Sequence, residues 1–331
     1  MRHQYIQPRY LLNSEGSPRR VGFELEFSGL DIEQAANIVA SVFSGVITRK
    51  SSVQFEVSSR KIGSFSIELD WNLGKKIAAD RSEQDLPEGH ESHDILMGWL
   101  KWIAGQVVPV EVVCPPMVFT SLELLDIMVE KLRQAGAKGT DDSLIYAFGV
   151  HINPEIPASD AATIAAYLQA FCLSQEWLFE ESHVDPIRKV TPYIKGYPEK
   201  YIETVLQYQK DITYQEMISD YMLHNPTRNR ALDMLPLWYY LFPEYCKNFN
   251  LNDTLTSKRP TFHYRLPNCE IDKTGWYLSD CWNLWCVVEY LASNEEPLNS
   301  LRKSRRISKE QSLLFPDKKW HSTLKKIYHD L

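Results

Sequence analysis

The run Val21-Gly22-Phe23-Glu24-Leu25-Glu26-Phe27 alternates apolar and acidic residues with a period of two. Side chains on a β-strand alternate faces, so this pattern sends Val21, Phe23, Leu25 and Phe27 to one side and both carboxylates to the other. Two neighbouring carboxylates repel each other unless water or a cation screens them. A solvated sheet face would explain one such strand. The same alternation, with ionisable residues, recurs on four more segments. Ser66, Glu68 and Asp70 share a face behind Phe65, Ile67 and Leu69. Glu111 sits alone in the apolar run Pro109–Cys114, where an acid without a partner is costly to bury. Gly149, His151 and Asn153 alternate with Phe148, Val150 and Ile152. His263 and Arg265 alternate with Phe262, Tyr264 and Leu266.

In one sheet, the shared polar face would hold five carboxylates (Glu24, Glu26, Glu68, Asp70, Glu111), two imidazoles (His151, His263) and the Arg265 guanidinium. Carboxylates and imidazoles together suit divalent cations, and an Arg suits a phosphate. Metal, nucleotide and an anionic substrate would account for the mixture together. The P-loop signature GxxxxGK[ST] and the dinucleotide fingerprint GxGxxG are both absent, which leaves nucleotide binding to side chains on the sheet.

These residues resemble the amidoligase branch of the glutamine synthetase and glutamate-cysteine ligase superfamily, the ATP-dependent carboxylate-amine ligases. Glu24 and Glu26 match that family's opening Glu-x-Glu strand. Asp70, in Ile67-Glu68-Leu69-Asp70, matches an acid at a strand end. Glu111 precedes the turn Cys114-Pro115-Pro116 as the family's Glu precedes a Ser-Pro-like turn. Gly149-Val150-His151-Ile152-Asn153 matches a Gly-x-His-x-(His/Asn) strand. Arg228-Asn229-Arg230 and His263-Tyr264-Arg265 follow in the family's order, over roughly residues 20 to 267. Two positions depart: His263 replaces an acid, and Cys114 stands where Ser is commoner.

The resemblance implies an α+β fold with a curved, mainly antiparallel sheet cupping the active site, flanked by helices. It implies ATP with Mg2+, or Mn2+ in its place, and an amide formed through an acyl phosphate. Glu24, Glu26, Glu111, His151 and Glu68 would be the metal ligands. Arg228, Arg230, Arg265 and Asn153 would hold the nucleotide. Arg265, Asp70 and His263 would be catalytic, with His263 open between ligand, base and structural residue. Of Glu68 and Asp70, the strand end favours Asp70 as the one facing the site. Partners would be a small-molecule or peptide carboxylate and an amine. Two other readings fit the same residues: a guanidino-type phosphotransferase on a related sheet, and a non-catalytic metal- or nucleotide-binding protein.

The remaining composition sets bounds. A chain of 331 residues can bury a large core. Its net charge of −7 gives no general attraction to nucleic acid. The basic run Arg302-Lys303-Ser304-Arg305-Arg306 reads as a solvated helix end or loop. Six cysteines without CxxC spacing, behind a start that lacks an apolar leader, read as reduced thiols in a cytoplasmic protein. The most apolar stretch, 95–119, carries charges and prolines and does not read as a membrane span. An oligomer is left open.

Helical periodicity predicts a helix after Asp31, one near 94–106, one over 121–135, one capped by Ser159 and running to Glu181, one over 198–223, one over 276–291 and one near 320–329. A hairpin is expected over 46–57. Residues 74–93 read as a loop, a candidate lid, whose His90 and His93 belong to a solvated segment. The expected division is a catalytic part over 1–270, with a helical insertion at about 158–224, and a C-terminal helical extension over 271–331 packed on it.

Overall fold

The computed structural model describes residues 4–69, 109–140, 148–184, 194–249, 257–311 and 319–331. Asp70, the loop at 74–93 with His90 and His93, and the helix expected near 94–106 lie outside the described residues. Among those described, an open antiparallel sheet of seven strands is flanked by ten α-helices. The strands are β1 (Arg20–Phe27), β2 (Val46–Arg49), β3 (Gln54–Ser59), β4 (Gly63–Leu69), β5 (Val110–Val113), β6 (Met117–Val118) and β7 (Val150–Pro154). They run in the order β2-β3-β4-β5-β1, with β7 on the other side of β1. β6 pairs with Arg20 and Val21 beyond the Cys114-Pro115-Pro116 interruption, on the side of β1 that β5 occupies further along. Val21, Phe23, Leu25 and Phe27 are all fully buried, so the apolar face of β1 lies in the core.

The expected strand over 261–266 is present as extended backbone without a ladder. Tyr264 and Ile152 exchange N–H···O bonds of 2.9 and 2.8 Å, and Val150 N donates to Pro267 O at 3.0 Å. Pro260 and Pro267 bracket the segment and withhold the donors a continuous ladder needs. On its far side, Arg265 N donates to Ala231 O at 2.8 Å and Asp233 N donates to His263 O at 2.9 Å. Residues 231–233 therefore extend the layer beyond β7.

The first helix, α1 (Ile32–Phe43), starts as expected. Asp31 accepts from Gln34 N at 2.7 Å, and the Gln34 side chain accepts from Asp31 N at 3.0 Å. This closes a capping box. The helix ends at Ser44, whose φ is +50°, and Gly45 then passes so close that a Cβ there would lie 2.5 Å from Val57. α2 spans Glu123–Gln134 and stops at Gly136, whose φ is +103°. α3 spans Ala161–Glu181. Its cap is Asp160 where Ser159 was expected: Asp160 accepts from Thr163 N at 2.8 Å, and a carboxylate adds charge at a helix N-terminus. The helix expected over 198–223 is two, α4 (Glu199–Leu206) and α5 (Tyr214–His224). Thr213 opens the second with its own capping box to Glu216. Short helices α6 (Leu235–Leu241) and α7 (Pro243–Cys246) follow.

Three C-terminal helices complete the chain: α8 (Leu278–Ala292), α9 (Glu295–Gln311) and α10 (Lys319–Asp330). They share one contiguous core with the sheet. The basic run lies in the middle of α9, not at an end or in a loop. Leu298, Leu301, Arg305 and Ser308 are buried at helical spacing, and Arg305 donates to both Glu199 oxygens at 2.8 and 2.9 Å. All six cysteines are buried and none is in a disulfide. No helix among the described residues is long and apolar enough to cross a membrane.

A buried ion pair fixes α8 to the start of β1. Arg19 is fully buried and Glu289 is 1% exposed. The guanidinium meets the carboxylate with two hydrogen bonds of 3.1 and 2.9 Å, and donates also to the carbonyls of Tyr10 and Glu155. Tyr167 of α3 and Trp285 of α8 donate to the same carboxylate at 2.5 and 3.1 Å. Every strong partner is thus satisfied, the condition under which a buried pair is tolerated. Glu289→Ala is expected to cost about 3–5 kcal/mol, because it strands the Arg19 charge in the core. Urea unfolding of the variant checks this; a loss below about 1 kcal/mol would show that water reaches Arg19.

Candidate active site

The polar face of the sheet sits opposite the core. Glu68 on β4 stands directly across from Glu111 on β5, and Glu111 directly across from Glu26 on β1. Three carboxylates thus occupy one register row on adjacent strands. Like charges directly opposite one another destabilise a sheet. Glu68 is steadied by Gln54, which donates at 3.0 Å, and by Ser66 at 3.2 Å. Glu26 accepts from Gly149 N at 2.9 Å. One step along β1, Glu24 lies opposite His151 of β7.

Glu24 is the centre of a hydrogen-bond network. His151 Nδ1 lies 2.9 Å from its Oε2; Asn153 Nδ2 donates to Oε1 at 2.8 Å, and Arg259 Nη1 to the same oxygen at 3.1 Å. Its side chain is only 12% exposed. Burial opposes its charge, but the bond from His151 and the neighbouring His263, His151 and Arg259 side chains outweigh burial and hold the carboxyl well below its usual range. An ionised Glu24 is acceptor-only, so His151 carries its proton on Nδ1 and leaves Nε2 as the outward atom. Nε2 lies 4.0 Å from Glu26 Oε1.

Two groups of possible ligand atoms result, each gathered within 4.8 Å: Glu26 with Glu111 and His151, and Glu24 with His151 and His263. His263 is 3% exposed. Its Nδ1 lies 2.6 Å from Asn153 Oδ1 and 3.0 Å from Arg259 Nη2. Asn153, expected at the nucleotide, therefore bridges Glu24 and His263. Burial, reinforced by Arg259, His151 and Arg265 against the pull of Glu24, pushes the His263 ring well below its ordinary value and keeps it neutral.

Arg265 pairs through its backbone with Ala231, beside the segment that carries Arg228 and Arg230. Arg265 donates from Nη1 to the carbonyl of Arg228 at 2.6 Å, and Arg228 Nε lies 3.4 Å from Asp233 Oδ2. Asp233 is fully buried. Burial raises its pKa, and the charges of Arg265 and Arg228 pull it back. Arg230 uses both terminal nitrogens on backbone carbonyls, those of Gly196 and His224, at 2.8 and 3.1 Å. In this arrangement Arg230 ties the Gly196 loop to the C-terminal end of α5, while Arg228 remains about one-third exposed.

Arg259 was not among the residues singled out in the sequence. It stands just ahead of Pro260, where the alternation stops, so periodicity gave no sign of it. Its spacing of four from His263 is the one available hint.

A family model described as "Putative amidoligase enzyme" matches residues 17–287. The chain belongs to this amidoligase family. The match covers β1, β5, β7 and the Arg259–Arg265 segment together, and so every element of the site described above. No curated protein and no solved structure matches this amidoligase.

The neutral His263 ties the amidoligase's stability to pH. In the unfolded chain the ring gains its proton as pH falls through about 6.5; in the folded chain it does so only at lower pH. Between those points the unfolded state binds more protons, so acidification costs up to about 1.4 kcal/mol per pH unit. Glu24 acts in the same direction further down, below its ordinary value of 4.5. Urea unfolding in chelator from about pH 7.5 to about pH 5 should therefore show falling stability, with a flatter profile for His263→Asn. An equal slope in that variant would place the proton uptake elsewhere.

Proposed function

We propose that this amidoligase is an ATP- and Mg2+-dependent carboxylate-amine ligase that works through an acyl phosphate. The observation that carries the reading is the row Glu68, Glu111 and Glu26, capped by the outward nitrogen of His151. Three carboxylates opposed on neighbouring strands are hard to justify in a fold without a cation. Two carboxylates and an imidazole held from behind by Glu24 match the donors and outer partner that divalent ions favour.

Glu26, Glu111 and His151 would hold the ion, with Glu68 beside them. A divalent ion there would supply charge neutralisation to the phosphates of the nucleotide. The chain's own groups do the rest. Glu24 orients His151. Arg228 and Arg265, held on the layer beyond β7, offer guanidinium charge to the transferring phosphoryl group. The substrate carboxylate takes the γ-phosphoryl and releases ADP. An amine then attacks the acyl carbon, loses a proton, and expels phosphate. The burial and neighbouring cations that hold His263 neutral also make it a weak proton acceptor, which argues against it as the base for that proton. No side chain of the protein needs to become covalently attached. Mn2+ would serve the same donors.

The decisive measurement is product release with paired substrates. A ligase forms ADP and phosphate only when both a carboxylate and an amine are supplied. A phosphotransferase instead leaves a stable phosphorylated acceptor, and a binding protein turns over nothing.

Removing one charge from the row separates its two effects. Glu111→Gln is expected to melt no lower than wild type in chelator, because repulsion from Glu26 and Glu68 is relieved. It should also lose most of the stabilisation that Mg2+-ATP gives to the wild type, a gain that reflects binding to the folded state. Thermal melting with and without Mg2+-ATP checks both; an undiminished shift would remove Glu111 from the ligand set.

A further inference from the structure

We infer that Arg259 is a built-in cation occupying the Glu24–His263 end of the site, so that this sheet face takes one divalent ion and not two. The inference rests on the metal reading given above and assigns the residues within it.

The two candidate groups share His151, and one imidazole cannot serve both equally. Its Nδ1 is held by Glu24 at 2.9 Å, which leaves Nε2 on the side of Glu26. His151 thus belongs to the Glu26–Glu111 group. At the other group, both oxygens of Glu24 are engaged: Oε2 with His151, Oε1 with Asn153 and Arg259. His263 Nδ1 is already flanked by Asn153 and by Arg259. An ion placed there would have to displace the guanidinium or stand beside it, with like charges a few ångströms apart in a poorly solvated setting.

The charges agree with this division. Glu24 and Arg259 neutralise each other. Glu26 and Glu111 together balance one divalent ion, and the third carboxylate of the row, Glu68, is held by Gln54 and Ser66. Arg259, bonded to Glu24 and to His263, thus supplies a fixed side-chain cation in place of an exchangeable one.

Counting ions on the full-length chain tests this, with Mn2+ alone as the probe and no nucleotide. Free Mn2+ is followed by electron paramagnetic resonance, and the fold is checked by thermal melting. Wild type should bind one Mn2+ per chain, lost in Glu26→Gln. Arg259→Met should bind two, the second abolished by adding His263→Ala. If Arg259→Met does not fold, Arg259→Gln takes its place, and Arg259→Lys should keep the count at one. Two ions in the wild type, or one in both Arg259→Met and Arg259→Gln, would overturn the inference and leave the metal reading of Glu26, Glu111 and His151 standing. No ion in the wild type would overturn both.

Discussion

The strict alternation of β1 is the constraint to which the rest of the molecule answers. Four apolar side chains of one strand are fully buried, and a pleated strand then has no freedom about its acids: Glu24 and Glu26 must emerge together on the opposite face. A register slip of one residue would put both charges in the core. The neighbouring strands inherit the problem. β5 sets Glu111 opposite Glu26 and β4 sets Glu68 opposite Glu111, while β7 sets an imidazole and an amide beside Glu24. The polar face is thus divided into an acidic half on the β4–β5 side and a nitrogen-rich half on the β7 side, with β1 as the border.

The two faces are stabilised by different means. Behind the sheet, α8 and α3 bury aromatic side chains and the Arg19–Glu289 pair, whose partners are all internal. That arrangement is stiff and asks nothing of solvent or ligand. In front, charges are held near one another by hydrogen bonds that only partly relieve them. A rigid support beneath a face with residual repulsion is what a binding site for charged ligands requires, since the groups stay in place before the ligand arrives.

Much of this face was legible in the sequence because period-two alternation survives without any knowledge of the partners. Glu24, Glu26, Glu68, Glu111, His151 and His263 were all identified by it, and the structure brings them onto one surface. What alternation could not reveal was division of labour. Glu24 and Glu26 look equivalent in the sequence, yet Glu24 is consumed by three hydrogen-bonding neighbours, because β7 pairs on its side. Arg259 was missed because Pro260 breaks the pattern just after it. Arg228 and Arg230 look equivalent in the sequence, but the carbonyls of Gly196 and of His224 at the end of α5 claim Arg230. The helix boundaries failed for local reasons. Asp160 outcompetes Ser159 as a cap, Thr213 restarts a helix inside a long polar run, and the buried stripe of α9 is hidden under its charges.

β1 pairs with strands more than eighty residues further along the chain, and the groups around Glu24 include His263. No local hairpin can make this site. The central ladder forms only after long loops have closed, which places the molecule among slowly folding, high contact-order topologies. During synthesis the acidic strand emerges early and must wait for the 110s, the 150s and finally the 260s before its charges find their neighbours. A nascent chain cut short before that segment carries the acids without Arg259, so the site is completed only once the 260s have been made.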